Sequence, residues 1–168
     1  GRIGTAVARR AAAFDMKVIY VDPYQPEGHD LGLGLERVRS QDELLRRADI
    51  VSLHVPLSEA TRNLMGAPQF AAMKPGGIFI NIARGGLVDV EALHDALKSG
   101  HLAAAGLDVL PKEPPVPIPA LIEAWRSNAS WLAGRLVVTP HAAFYSEAGY
   151  LDMRTFSAEI LLEFLFEG

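Results

Sequence analysis

The chain of 168 residues contains no cysteine. That excludes disulfides and thiolate metal sites. It also lacks an apolar run long enough to span a bilayer. The richest stretch, Ile160-Leu161-Leu162-Glu163-Phe164-Leu165-Phe166, is short and interrupted by a charge. There is no surplus of positive charge: 16 Lys and Arg face 20 Asp and Glu, a net −4. Such a balance offers no electrostatic footprint for nucleic acid. Arg9-Arg10 and Arg46-Arg47 are isolated pairs and read as solvated helix faces. No internal repeat is visible. Low complexity is confined to the cluster Pro111, Pro114, Pro115, Pro117 and Pro119. With 49% apolar residues the composition is ordinary. The length suits one domain with a sizeable core, and the composition suits a cytoplasmic enzyme domain.

Apolar runs alternate with helical patterns. Helices are expected at Ile3–Phe14, Asp42–Arg47 with Ser40 as cap, Ala67–Ala72, Val90–Lys98 stopped by Gly100, and Ser146–Phe166. Strands are expected at Lys17–Val21, Ile50–Val55, Gly77–Ile82, Ala103–Asp108 and Leu136–Thr139. The strands are apolar throughout rather than alternating, as in a parallel sheet covered by helices on both faces. The fold class expected is therefore α/β, a doubly wound parallel sheet. The long stretch from Pro114 to Arg135, with Trp125 and Trp131, carries no clear element.

The chain opens Gly1-Arg2-Ile3-Gly4. Gly1 and Gly4 look like the last two glycines of a G-x-G-x-x-G turn. One glycine lets backbone N–H groups approach a pyrophosphate, and the other lets helix pack on sheet. Gly1, Arg2, Ile3 and Gly4 are then cofactor-binding, with the anion at a helix N-terminus. Asp22 ends the next strand, where an acid meets the adenosine ribose. Ligands of such sheets lie beyond the carboxyl ends of the strands. Asp22, Pro56, Arg84, Asp108 and His141 all fall there.

Three phrases carry chemistry. They are Ile80-Asn81-Ile82-Ala83-Arg84-Gly85-Gly86, Gly106-Leu107-Asp108-Val109-Leu110-Pro111-Lys112-Glu113-Pro114, and Val138-Thr139-Pro140-His141-Ala142-Ala143. An arginine can hold a carboxylate in two parallel hydrogen bonds. A histidine can pass a proton near neutral pH. A glutamate beside it can orient the imidazole and favour its charged form. The plainer readings are that Arg84 caps a carbonyl in its glycine turn, that His141 is a satisfied loop histidine, and that Glu113 is a solvated loop acid. His54, inside an apolar strand, reads as structural, and His29, His94 and His101 as surface residues. Phe156, Phe164 and Phe166 read as helix packing.

These residues, with Val51-Ser52-Leu53-His54-Val55-Pro56-Leu57 and Met73-Lys74-Pro75-Gly76-Gly77, resemble the D-2-hydroxyacid dehydrogenase family. The segment Pro140–Glu147 is similar to the branch with the C-terminal-binding-protein corepressors. The resemblance implies a Rossmann-type dinucleotide-binding domain over 1–168 and NAD as cofactor. It implies Arg84, Glu113 and His141 as the catalytic trio. It places Pro56, Ala83 and Asp108 with Gly1 to Gly4 and Asp22 along the cofactor, Asp108 near the nicotinamide. It implies a small 2-hydroxy or 2-keto acid as substrate, a homodimer, and no metal. The alternative it leaves open is an NAD(H)-sensing corepressor-like binding protein of the same fold. A further expectation is that the strand before Gly1, and most of a substrate domain, lie upstream of this chain.

Overall fold

The computed structural model describes residues 1–166. Helices and strands alternate through α1 (Arg2–Ala12), β1 (Ile19–Tyr20), α2 (His29–Leu33), β2 (Glu36–Arg37), α3 (Gln41–Arg47), β3 (Ile50–Leu53), α4 (Ala67–Ala72) and β4 (Gly77–Asn81). They continue through α5 (Val90–Lys98), β5 (Leu102–Leu107), α6 (Ala120–Arg126), β6 (Leu136–Val138) and α7 (Glu147–Phe166). Strands β3-β4-β5-β6 form one parallel sheet in chain order, and β1-β2 form a separate parallel pair. The parallel α/β architecture expected from the alternation is present.

Local signals explain the element ends. The Ser40 hydroxyl accepts the Glu43 N–H at 3.1 Å and caps α3. Asp89 Oδ1 accepts the N–H groups of Glu91 and Ala92 at the start of α5. Gly100, with φ of +79°, turns the chain out of α5 where a side chain would be strained.

The register of the larger sheet decides where its loops emerge. Leu53 pairs with Asn81, Asn81 with Leu107, and Leu107 with Val138. These four residues form one row across four strands. The loops after them therefore leave from one edge.

The core lies on one face of this sheet. Val51, Leu53, Phe79, Ala105, Leu107 and Leu136 point into it and are buried. Leu45 of α3, Phe70 of α4, Leu93 and Leu97 of α5 and Leu121 of α6 meet them. Phe70 and Phe79 pack edge to face at 5.2 Å between ring centroids. Each such side chain, taken from water, contributes about 1.5–3 kcal/mol. The other face is covered less well than the apolar strands suggested. Ser52, Ile78 and Ile80 are half-buried, and Val137 is exposed. Helix α1 reaches this face, with Gly4 against the His54 side chain. Burial therefore alternates along β4 even though its sequence does not.

Three further departures are local. The proline-rich stretch holds a helix, α6, that begins after Pro119 and buries Leu121 and Ile122. Among the described residues of α7 none is buried, so Phe156, Phe164 and Phe166 do not pack within this chain. His94 and His101 are half-buried rather than surface residues: the His94 ring meets Trp131 edge-on, and His101 Nε2 pairs with the Met73 carbonyl at 3.0 Å.

Arg135 ties the elements around β5 together. Its guanidinium donates to the carbonyls of Leu97, Leu102, Ala103 and Trp131. Losing it leaves carbonyls unpaired, and each costs about 1–3 kcal/mol when buried. Arg135→Ala is expected to lower the urea midpoint of the intact protein, and Arg135→Lys to restore little, since an ammonium lacks the planar fork. A wild-type midpoint for the lysine variant would contradict this.

Candidate active site

The loops leaving the aligned strand ends carry Pro56, Ala83, Arg84, Asp108, Glu113 and His141, whereas Gly1 to Gly4 open α1 and Asp22 follows β1 of the separate pair. Helix α1 starts at Arg2 with Gly1 before it and no side-chain cap. The first intrahelical N–H is that of Thr5, to the Gly1 carbonyl. The N–H groups of Arg2, Ile3 and Gly4 therefore have no intrahelical acceptor, at the positive end of the helix dipole. A helix start of this kind can take an anion. Gly4 sits so close to His54 that a Cβ would lie 3.3 Å from the His54 Cβ. Burial pushes the His54 imidazole pKa down, which disfavours a charge on the ring under the helix start.

Asp22 follows β1. Its Oδ1 accepts the Tyr24 N–H at 3.0 Å and its Oδ2 accepts Gln25 Nε2 at 3.2 Å. Each oxygen keeps acceptor capacity for a hydroxyl. Arg37 lies beneath, but its guanidinium is committed to the carbonyls of Asp22 and Pro26. Pro56, in the loop after β3, is exposed and its carbonyl accepts the Thr61 hydroxyl at 2.7 Å.

The loop after β4 is held by Asn81, which is wholly buried. Its Oδ1 accepts the Ala83 N–H and its Nδ2 donates to the Arg84 carbonyl, both at 3.0 Å. Arg84 itself is exposed. Its Nη1 leans on the Ala83 carbonyl at 2.7 Å, and among the described residues no carboxylate pairs with it. Gly85 then packs on the next loop: a Cβ there would lie 1.9 Å from the Leu110 carbonyl carbon. Only glycine permits that approach. It brings the arginine's loop against the one bearing Glu113.

Asp108, the first residue after β5, is buried. Its Oδ1 accepts the Thr139 hydroxyl at 2.5 Å and the Ala142 N–H at 2.8 Å, and its Oδ2 accepts the Ala143 N–H at 2.9 Å. Its backbone carbonyl accepts the His141 N–H at 2.9 Å. The side chain thus turns toward the β6 loop. His141 rides on this loop with φ of +53°, a region few residues other than glycine adopt. Strain of that kind persists only where surroundings over-determine it, and Asp108 supplies them.

His141 Nδ1 meets Glu113 Oε2 at 2.6 Å, while Glu113 Oε1 accepts the Leu110 N–H at 2.7 Å. The sequence-derived pairing of glutamate and histidine is present. An ionised Glu113 fixes the proton on Nδ1 and leaves Nε2 as the nitrogen with a lone pair. Partial burial opposes ionisation of Glu113. The Leu110 N–H, the His141 hydrogen bond and the imidazole's charge outweigh it and hold the carboxyl below its ordinary range. For Asp108, burial likewise opposes ionisation. The Thr139 hydroxyl, the Ala143 and Ala142 N–H groups and the nearby His141 outweigh it.

Sequence reasoning passed over Asn81, Gly85, Leu110 and Thr139. Their contributions run through backbone groups or across more than twenty residues. The one available signal was that Asn81 is an amide at the end of an otherwise apolar run. No group of three or more His, Asp or Glu able to hold a metal exists among the described residues, and no described helix is long and apolar enough to cross a membrane.

Residues 1–143 match the family described as D-isomer specific 2-hydroxyacid dehydrogenase, NAD binding domain. The chain is 41% identical over 159 residues to D-3-phosphoglycerate dehydrogenase of Methanocaldococcus jannaschii, covering 95% of this chain and 28% of that protein. It is 42% identical over 164 residues to glyoxylate reductase of Korarchaeum cryptofilum, covering 98% and 46%. The apo crystal structure of Rhodotorula graminis D-mandelate dehydrogenase superposes with a TM-score of 0.84 at 33% identity, over all of this chain and 46% of that one. The chain thus spans less than half the length of these relatives.

The depressed pKa of Asp108 has a consequence for acid stability. A carboxyl whose folded pKa lies below its ordinary 3.8 contributes stability that is present above that value and lost as pH falls through the folded pKa. Asp108→Asn is expected to lower the melting temperature at pH 7, and the gap from wild type to shrink as pH drops below 3.8. Thermal melts of both proteins across this range test it; a gap independent of pH would show that the carboxylate's charge is not what holds the loop.

Proposed function

Because the chain belongs to the D-isomer specific 2-hydroxyacid dehydrogenase family, as its NAD-binding domain, we propose that the protein is an NAD-dependent oxidoreductase. It interconverts small 2-hydroxy and 2-keto acids. The observation that carries this reading is the Glu113–His141 contact at 2.6 Å, on the sheet edge that also presents an unpaired Arg84. Bound along that edge, the nicotinamide cofactor supplies or accepts the hydride. The free N–H groups of Arg2, Ile3 and Gly4 fit its pyrophosphate, and Asp22 fits its adenosine ribose. Pro56 and Ala83 flank its path in the loops after β3 and β4.

The remaining work belongs to side chains. Arg84 grips the substrate carboxylate and polarises the keto oxygen. His141 Nε2 delivers a proton to that oxygen in reduction and takes it back in oxidation. Glu113 holds Nδ1–H and balances the imidazolium charge. Asp108 anchors the loop rather than the ligand. Placing charges in advance, where charge develops during reaction, is commonly the largest catalytic contribution. A homodimer in the cytoplasm goes with this reading.

NADH oxidation by the intact protein, assayed with a panel of 2-keto acids, tests the reading. At least one acid should be reduced. His141→Gln should lose about 10²–10⁴ in rate while NADH binding persists. Arg84→Lys should lose most kcat/KM because a point charge replaces a fork. NADH binding without turnover of any acid would favour the sensing alternative instead.

Cofactor choice gives a separate check. Asp22 would meet a 2′-phosphate with like charge, and the nearby Arg37 is committed to backbone carbonyls. NAD should bind more tightly than NADP, and Asp22→Ala should weaken NAD and narrow the preference. Equal affinities in wild type would refute the role given to Asp22.

A further inference from the structure

Asn81 and Asp108 are the two buried polar or charged residues among those described. They sit side by side at the ends of neighbouring strands. The Asp108 N–H donates to the Asn81 carbonyl at 3.0 Å. From this junction each side chain reaches a different loop. Asn81 pins Ala83 N–H and Arg84 C=O; Asp108 pins Thr139, Ala142 and Ala143.

We infer that Asn81 is the positioning residue for substrate anchoring: its buried amide fixes the backbone from which Arg84 projects, while its main-chain carbonyl, accepting the Asp108 N–H, joins that turn to the strand end that fixes the His141 loop. The inference rests on the oxidoreductase reading for its functional half. An amide is required because it must accept from one backbone group and donate to another from one side chain. A carboxylate cannot donate, and an alkyl group can do neither. Besides Asn81, the Arg84 backbone is held only by the Leu87 N–H on its carbonyl at 3.2 Å, within the same turn, and its side chain contacts only the Ala83 carbonyl. Displacing a reacting group by about 1 Å can cost on the order of 10²-fold, so a looser turn should be felt in binding of the carboxylate.

The experiment uses the intact protein and the variant Asn81→Ser, with Asn81→Asp as a second variant should the first not fold. A 2-keto acid that wild type reduces is compared with its methyl ester, which has no carboxylate charge for Arg84 to grip. The expected result is a rise in KM for the acid of at least about 10-fold, a fraction of what misplacement of a reacting group can cost. The ester, which loses only the polarisation of its keto oxygen, should be slowed much less than the acid, and the NADH affinity and the pH profile should stay near wild type. Amide exchange should quicken at Ala83 and leave Phe79 in β4 protected. Equal losses on acid and ester, or no loss on either, would overturn the inference. Unchanged exchange at Ala83 would overturn it as well. If wild type reduces no 2-keto acid, the oxidoreductase reading fails, and exchange at Ala83 still decides whether Asn81 holds the turn.

Discussion

The buried carboxylate of Asp108 is the interaction on which the rest of the site depends. Its two oxygens gather three donors from a segment more than thirty residues downstream. Its own backbone is stitched to β4 on one side and to His141 on the other. A buried charge is tolerable only when its hydrogen bonds are complete, and these are. Because the charge sits beneath a histidine loop rather than in solvent, its hydrogen bonds are not competed away by water, and they hold His141 in a backbone conformation it would otherwise rarely adopt.

Geometry does the remainder. A parallel sheet whose strands end in one row delivers its loops to one line. Arg84 leaves β4, Asp108 leaves β5, His141 leaves β6, and the close seat of Gly85 on Leu110 removes the slack between the first two loops. Glu113, held by Leu110 N–H, points at the histidine from the side. Each of these side chains is thus supported by a neighbour, and the supports are mostly main-chain atoms.

That division explains what could be read from the sequence. Arg84, Glu113, His141 and Asp22 were legible because each is a reactive side chain in a loop after an apolar run. The strands β3 to β6 and helices α3, α4 and α5 were legible from apolar runs, the Ser40 cap and Gly100. Helix α2 and strand β2 were not, being only five and two residues long and set among glycines. Helix α6 was hidden behind five prolines that mark a loop but also serve as a helix start. The inward turn of Asp108 could not be foreseen, since its partners are N–H groups and a hydroxyl that carry no label in a sequence. The bare surface of α7 has a similar origin: an apolar helix announces that it will be covered, not by what.

The distance along the chain between the partners of this site sets when it can exist. Residues 108 and 113 hold groups from 139 to 143, so nothing before β6 can adopt this arrangement by itself. Contacts of such long range form late, because loop-closure entropy must be met before they contribute. During synthesis from the N-terminus, β3, β4 and β5 can assemble while His141 is still unmade. The Glu113–His141 contact therefore arrives when β6 docks, and a partly folded chain would show strands without it.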